Sequence, residues 1–282
     1  VRVSENQWAL SNVGATWTER TAAGSRNWRS VSLSSDGKYQ TAVAYNGYIY
    51  TSSDYGATWT ERTGAGSRDW RSVSLSSDGK YQTAVVGGGY IYTSSDYGAT
   101  WTERTGAGSK SWYSVFLSSD GKYQTAVVSG GYIYTSSDYG ATWTERTGAG
   151  SRYWWSVSLS SDGKYQTAVV NGGYIYTSSD YGATWTERTG AGSRYWRSVS
   201  LSSDGKYQTA VVSGGYIYTS SADSYIYGGI GIGTTTPSAK LTVTQSGTGD
   251  IVEFKDGSNS VFAISDGGNV AISNITATTG SA

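Results

Sequence analysis

Residues 52–59 read Ser-Ser-Asp-Tyr-Gly-Ala-Thr-Trp, and the same eight residues return three more times at intervals of 42 residues. The four copies occupy residues 52–59, 94–101, 136–143 and 178–185. A divergent copy at residues 11–17 carries Asn12 where the others carry aspartate. A fixed period near 40 residues indicates one supersecondary unit repeated along the chain.

One period, residues 70–111, predicts four short strands. Trp70–Leu75, Tyr81–Val86, Tyr90–Thr93 and Trp101–Thr105 are rich in β-branched and aromatic residues, and glycine-containing turns separate them. The first turn holds an Asp-Gly pair, which suits a tight hairpin. No part of the period shows helical spacing. Four strands in about 40–45 residues, stacked radially, are typical of a β-propeller, so we predict an all-β fold.

The ends of the array predict how the propeller closes. Five first strands begin at Trp28, Trp70, Trp112, Trp154 and Trp196. The fifth unit stops after its third strand, whereas Ala15–Arg20 supplies a spare fourth strand at the other end. Pairing the two would give five blades, one of them composite, and would leave no sheet edge. The alternative is an open arc that closes only by oligomerisation.

The Ser-x-Asp-x-Gly-x-Thr-Trp block resembles the Asp-box (BNR) repeat of sialidases, sortilin-like receptors and photosystem assembly propellers. The resemblance covers roughly residues 10–220 and implies that the block is a turn between the third and fourth strands, remote from the ligand face. We therefore assign the aspartates a structural role, with the carboxylate accepting N–H bonds inside the turn. These aspartates are Asp54, Asp96, Asp138 and Asp180.

Composition narrows the function classes. The chain has 21 basic and 21 acidic side chains, no histidine and no cysteine. Balanced charge disfavours a nucleic-acid partner held by electrostatics, and no apolar run approaches the length of a membrane span. Without histidine and cysteine, the commonest general base, thiol chemistry and the usual metal ligands are missing. We expect no metal, no cofactor and no membrane insertion.

The repeats differ from one another mainly on one predicted face. Variable positions flank the first-strand Trp and lie in the turn between the second and third strands, whereas the Ser-Ser-Asp-Gly-Lys turn is identical in all five units. Aromatic faces can stack on sugar rings, and the polar groups can bond hydroxyls. The sequence thus predicts a glycan site, with neutral drift in exposed loops as the alternative. The candidate ligand-binding residues are Arg29, Tyr45, Arg71, Tyr113, Tyr153, Trp155, Asn171, Tyr195 and Arg197.

An enzyme is not expected. Sialidases need arginines and acids from irregular loops, whereas the Glu-Arg pairs here, such as Glu61-Arg62, recur at one fourth-strand position in every unit. We interpret them as a repeated ion pair at the outer rim. No singular acidic residue breaks the repeat to suggest a catalytic carboxylate pair.

The remainder of the chain resembles the linker and stalk segments of phage tail fibres and bacterial surface fibres. Gly231–Leu241 and Gly268–Ile272 carry that resemblance, which implies a β-rich segment associating with copies of itself, as a trimer in such fibres. We predict a propeller at residues 1–220, a glycine-rich linker at 221–234 and a stalk at 235–282. The expected function is attachment to a glycan or cell-surface receptor, outside the cell or on a virion. The alternative is a structural subunit of a filament.

Overall fold

The computed structural model describes residues 14–221 and the backbone of five later strands, at residues 230–232, 241–243, 252–256, 259–264 and 270–272. The chain divides into two compact units, Val1–Ala222 and Asp223–Ala282. Within the described residues the chain is all-β apart from four single 3₁₀ turns. Those turns are Thr21–Ala23, Thr63–Ala65, Thr105–Ala107 and Thr147–Ala149.

The first unit is a propeller-like array of antiparallel repeats, each built from up to four strands in chain order. The first strands are β1 (Trp28–Leu33), β5 (Arg68–Leu75), β9 (Lys110–Leu117), β13 (Arg152–Leu159) and β17 (Arg194–Leu201). The second strands are β2 (Gln40–Gly47), β6 (Gln82–Gly89), β10 (Gln124–Gly131), β14 (Gln166–Gly173) and β18 (Tyr207–Val212). The third strands are β3 (Ile49–Ser52), β7 (Ile91–Ser94), β11 (Ile133–Ser136), β15 (Ile175–Ser178) and β19 (Ile217–Ser221). The fourth strands are β4 (Thr60–Arg62), β8 (Thr102–Arg104), β12 (Thr144–Arg146) and β16 (Thr186–Arg188). We number the repeats 1 to 5 as residues 28–62, 68–104, 110–146, 152–188 and 194–221.

Four of the second strands, β2, β6, β10 and β14, extend beyond their predicted ends because their last residues pair with the next repeat. The predicted turn Gly87–Gly89 continues β6, and Gly87 and Gly89 pair with Ser111 and Lys110 of β9. The same two-residue ladder joins β2 to β5, β10 to β13 and β14 to β17. Consecutive repeats are therefore joined by backbone hydrogen bonds as well as by side-chain packing.

Apolar side chains from two repeats form each core cluster. Between repeats 1 and 2, Val43 and Ile49 pack against the fully buried Trp70 and against Val73 and Leu75. Equivalent clusters form around Trp112, Trp154 and Trp196. Burying apolar surface contributes about 25 cal/mol per Å², so these clusters are the main stabilisation of one repeat by its neighbour.

Polar contacts repeat with the same period at these interfaces. The Thr83 hydroxyl donates to Gln124 Oε1 at 2.7 Å in the interior, and three other interfaces have the equivalent bond. The Ser77 amide donates to the Ser119 carbonyl at 2.7 Å, which links the invariant Asp-Gly turns of neighbouring repeats. The identity of that turn in all five units thus has a structural reason.

The predicted composite closing blade is not formed in this structure. Residues 15–20 form no strand, and Trp17 is 93% exposed. Among the described residues, β19 pairs only with β18. In the same described part of the chain, four repeats have four strands and the fifth has three.

The second unit contains two small sheets. Strands β20 (Ile230–Ile232) and β21 (Leu241–Val243) pair in parallel. Strands β22 (Val252–Asp256), β23 (Asn259–Ile264) and β24 (Val270–Ile272) form an antiparallel sheet. The sequence predicted a β-rich segment at residues 235–282, and β21 to β24 lie within it. The stalk and its self-association stay predictions.

Candidate binding face

The Asp-box aspartates form hydrogen bonds within their own turns. Asp54 accepts from the Ser52 hydroxyl at 2.7 Å, the Thr58 hydroxyl at 2.6 Å and the Thr58 amide at 2.9 Å. The bonds from Thr58, then that from Ser52, lower the pKa of Asp54 to about 2. Tyr55 and Gly56 complete the turn at φ values of 62° and 78°. The same network recurs around Asp96, Asp138 and Asp180.

The predicted ion pair between neighbouring glutamate and arginine of the fourth strand is wrong. Adjacent strand residues point to opposite faces, so Glu61 and Arg62 have different partners. Arg62 donates to the Thr51 hydroxyl at 2.7 Å, whereas Glu61 pairs with Arg26 at 3.2 Å and accepts from the Tyr50 hydroxyl. Burial and the hydrogen bond to Glu61 raise the pKa of Tyr50 to about 12. The Arg62–Thr51 and Glu61–Tyr50 contacts join the fourth strand to the third, and repeats 2 to 4 have the same contacts.

A β-bulge directs the variable first-strand position away from the ladder. In every repeat the register shifts immediately after the first-strand Trp, as between Trp70 and Ser72. The residue at the shift has no cross-strand partner, which frees its side chain from the regular alternation. Bulges are frequent beside functional sites for this reason. The residues at this position are Arg29, Arg71, Tyr113, Trp155 and Arg197.

These side chains and Tyr45 contact one another in an unbroken line, which we call the aromatic–arginine row. Arg29 and Arg71 lie over the Tyr45 ring, at 4.9 and 5.5 Å from its centroid. Arg71 also lies 5.9 Å from the centroid of Tyr113. The row continues at its other end with two further contacts. The Tyr113 and Trp155 centroids are 4.2 Å apart, and Arg197 lies 4.5 Å from the centroid of Trp155.

The aromatic–arginine row is rich in positive charge. Three guanidinium groups meet one nearby carboxylate, Asp69, which pairs with Arg71 at 2.7 Å. Burial raises the pKa of Tyr113, although Arg71, Arg197 and Arg29 all act in the opposite direction. Two arginines are thus left without an acidic partner in the row. The balanced charge of the whole chain hides this local excess.

Gly87 lies so close to the Asp69–Arg71 ion pair that a larger residue there would contact both side chains. A Cβ at Gly87 would lie 2.8 Å from both Arg71 Nε and Asp69 Oδ2, closer than real Cβ contacts. The other repeats carry Tyr45, Ser129, Asn171 or Ser213 at this position. A larger residue at position 87 would therefore require the Asp69 and Arg71 side chains to shift.

Tyr153, Tyr195 and Asn171 form a second set of predicted residues on this face. Tyr153 pairs with Ser129, and Tyr195 pairs with Asn171, in the ladders between repeats. The two tyrosines are 65% and 64% exposed. Their rings are free to stack on a ligand, whereas Trp155 already contacts Tyr113 and Arg197. All three aromatic residues were predicted from the sequence as candidates for stacking, and Tyr153 and Tyr195 are the more exposed of them.

Two features were missed by sequence reasoning. Asp69, which precedes the first-strand Trp70, was not included in the predicted site, since its pairing with Arg71 was not visible in the sequence. A groove of about 980 Å³ between repeats 4 and 5 was also missed. Its lining includes Thr177, Ala191, Lys206, Gln208, Tyr218 and Thr219. The unfinished fifth repeat was the signal that could have indicated it.

Comparisons with known proteins agree with the repeat and the fold. The family model described as "BNR-Asp box repeat" matches residues 49–62, 91–104, 133–146 and 175–188. Each match spans the third strand, the Asp-box turn and the fourth strand. The chain thus carries BNR-Asp box repeats in a propeller-like sheet. No curated protein sequence matches the chain.

Several solved structures are similar in fold. Ycf48 bound to D1 peptide is 21% identical with a TM-score of 0.54, over 71% of this chain and 64% of that one. Ycf48 from Cyanidioschyzon merolae is 19% identical with a TM-score of 0.51, over 67% and 65%. A GH74 enzyme from Niastella koreensis is 18% identical with a TM-score of 0.55, over 69% and 30%. The chain therefore spans less than two thirds of these relatives, and the likeness concerns the fold alone.

Within the part of the chain that the structure describes, no cluster of acidic side chains has the arrangement of a metal site. No helix there is long and apolar enough to cross a membrane.

Proposed function

We propose that the chain is a non-catalytic attachment protein whose variable face recognises glycans that carry an anionic group. The observation that carries the proposal is the aromatic–arginine row, where Arg29, Arg71 and Arg197 meet only one carboxylate. Guanidinium groups bind carboxylates through paired hydrogen bonds, which add geometric specificity. Exposed Tyr153 and Tyr195, which occupy the position of Asp69 in their repeats, offer ring faces for the sugar.

The rest of the chain fits attachment. A site built on a bulge of a rigid sheet is held in place by the repeat interfaces around it. If the second unit associates with copies of itself, several weak sites act at high effective concentration. Such a protein would work outside the cell or on a virion. Ligand, self-association and location are parts of the proposal.

A glycan array tests the proposal with labelled full-length protein. We expect binding to sugars bearing carboxylates or sulfates, and about tenfold weaker binding by Arg197→Ala, a loss of about 1.4 kcal/mol. Lys122→Ala is the matched control, because it removes one positive charge from the invariant turn at the opposite end of the strands. Binding that both variants lose equally, or no binding to any acidic glycan, would overturn the proposal. A peptide array run alongside covers the other ligand class, since one similar structure is Ycf48 with a bound peptide.

The second candidate is a structural filament subunit. Exposed apolar side chains at the two ends of the repeat array, such as Val31 and Ile217, favour it. This observation does not depend on any ligand. Electron microscopy of the purified full chain would show filaments in that case.

A further inference from the structure

The two ends of the array expose the two halves of one core cluster. At the first end, Val31 is 62% exposed, whereas its equivalent Val73 is buried. At the other end, Ile217 is 70% exposed, whereas its equivalent Ile49 is fully buried. In the interior, Ile49 and Val73 belong to the same cluster. The two exposed ends are therefore complementary, because their equivalents pack together wherever two repeats meet in the interior.

The N-terminal segment, residues 14–20, has the backbone conformation of a fourth strand although it pairs with no third strand among the described residues. Arg20 has φ −101° and ψ 76°, and its equivalent Arg62 has φ −101° and ψ 82°. Gly14 has φ 75°, close to the 78° of the Asp-box Gly56. Ala23 is buried like its equivalents, so the segment is fixed to repeat 1 as each fourth strand is fixed to the repeat that follows it.

One core cluster lacks the tryptophan that this segment carries. Trp101, Trp143 and Trp185 pack against the clusters between repeats 1 and 2, 2 and 3, and 3 and 4. Among the described residues, the cluster around Trp196 has no such tryptophan, and the groove of about 980 Å³ opens beside it. Trp17 is the equivalent residue by the 42-residue period, and it is 93% exposed.

We propose that the N-terminal segment of one copy completes repeat 5 of a second copy, so that chains associate head to tail. The register follows from the interior: Thr18, Glu19 and Arg20 would pair with Thr219, Tyr218 and Ile217. Glu19 would then accept from the Tyr218 hydroxyl, as Glu187 accepts from Tyr176. Trp17 fills the groove, and Val31 covers Ile217.

A second copy fits better than closure of the chain on itself. Four consecutive interfaces use the same contacts and leave β19 and Thr18 apart. A fifth interface with another copy uses that same geometry once more, whereas self-closure needs the relation between repeats to change. Such a head-to-tail contact is heterologous, so it produces a ring or a filament according to the rotation at each step.

Cysteine pairing distinguishes the two cases, since the full chain has no cysteine of its own. Thr18→Cys and Thr219→Cys are made in separate full-length chains, mixed, and oxidised mildly. Opposed residues of paired strands lie within disulfide reach. Thr177→Cys/Thr186→Cys in one chain is the positive control, because these residues already face each other.

We expect a disulfide-linked dimer in the mixture that is lost on reduction and absent from either variant alone. The site-specific bond makes the result independent of any association through the second unit. No dimer in the mixture, with the positive control oxidised, would overturn the proposal. A doubly substituted Thr18→Cys/Thr219→Cys chain that oxidises only to a cross-linked monomer would establish self-closure instead.

Discussion

Arg197 lies over the indole ring of Trp155, with its guanidinium carbon 4.5 Å from the ring centroid. The two residues occupy the same bulge position in consecutive repeats, so the 42-residue period itself brings them into contact. An arginine–tryptophan contact of this kind contributes about 0.5–2 kcal/mol. It also fixes the direction of a positive charge that has no acidic partner in the row.

Replacing Trp155 with alanine should weaken binding more than stability. The indole supports both Tyr113 and Arg197, so its loss frees the guanidinium group and costs about tenfold in affinity for an acidic glycan. Tyr153→Ala removes an exposed ring and should weaken binding with little change in the unfolding midpoint. Titration of both variants, with denaturant melts alongside, measures the two effects. A Trp155→Ala chain with unchanged affinity would contradict the role given to the row.

Filling position 87 should destabilise repeat 2. Gly87→Asn copies the residue of repeat 4, but its Cβ meets the Asp69–Arg71 pair at 2.8 Å. We expect a loss near the lower end of about 1–3 kcal/mol in the free energy of unfolding, because the contacting atoms of Asp69 and Arg71 belong to flexible side chains that can move aside. Asn171→Gly is the reverse change at the matched position and should cost less. Urea unfolding measures the free energy for both variants. An unchanged free energy of unfolding in Gly87→Asn would show that position 87 and the Asp69–Arg71 pair vary independently.

Removing one interface hydroxyl should cost more in the middle of the array than at its end. Thr83→Val leaves the buried Gln124 Oε1 without its donor, a loss of about 1–3 kcal/mol. Thr209 is the equivalent residue of repeat 5 and has no following repeat in its own chain. Thr209→Val should leave the unfolding midpoint of a dilute sample unchanged. Equal destabilisation by both substitutions would indicate that the Thr209 hydroxyl already has a hydrogen-bond partner in the dilute sample.

Acid should destabilise the array in a defined window. Hydrogen bonds hold the pKa of Asp54 at about 2, below the usual value near 3.9, and they lower the pKa of Asp96, Asp138 and Asp180 as well. A depressed carboxyl pKa stabilises the fold above the unfolded pKa, and that stability is lost as pH falls toward the folded value. Melting temperatures should hold down to about pH 4 and fall between about pH 4 and 2. The decrease in melting temperature over this pH range should be smaller in Asp54→Asn. An identical decrease would show that Asp54 does not contribute to it.

Trp17→Ala should act on assembly and not on the isolated chain. Trp17 is 93% exposed, so the midpoint of a dilute sample should not move, while the cross-linked dimer between copies should be lost. Trp101→Ala is the control, because the same position in repeat 2 packs against a core cluster and should destabilise folding. A large stability loss from Trp17→Ala at low concentration would point to a partner within the same chain.

The repeat, the strand order and the Asp-box turns were predictable from the sequence, because identical blocks at a fixed period leave few ways to bury Trp70 and its equivalents. The positions of the variable residues on one face were predictable from strand direction. The bulge after Trp70 was not, and it alone brings Arg71 to Tyr45 and Asp69. Whether the array closes on itself was not predictable, because the sequence shows that Thr18–Arg20 could supply the missing fourth strand of repeat 5 but not whether the repeats curve enough to bring the two together.

The most direct test compares one acidic glycan with its carboxyl-reduced, neutral counterpart in titrations against the full-length protein. We predict that the full-length protein binds the neutral form at least about tenfold more weakly than the acidic form. The difference should be much smaller in Arg197→Ala, because the guanidinium groups without an acidic partner in the row bind the carboxylate of the glycan. Equal affinity for the two forms, or the same preference in Arg197→Ala and the parent chain, would contradict the account.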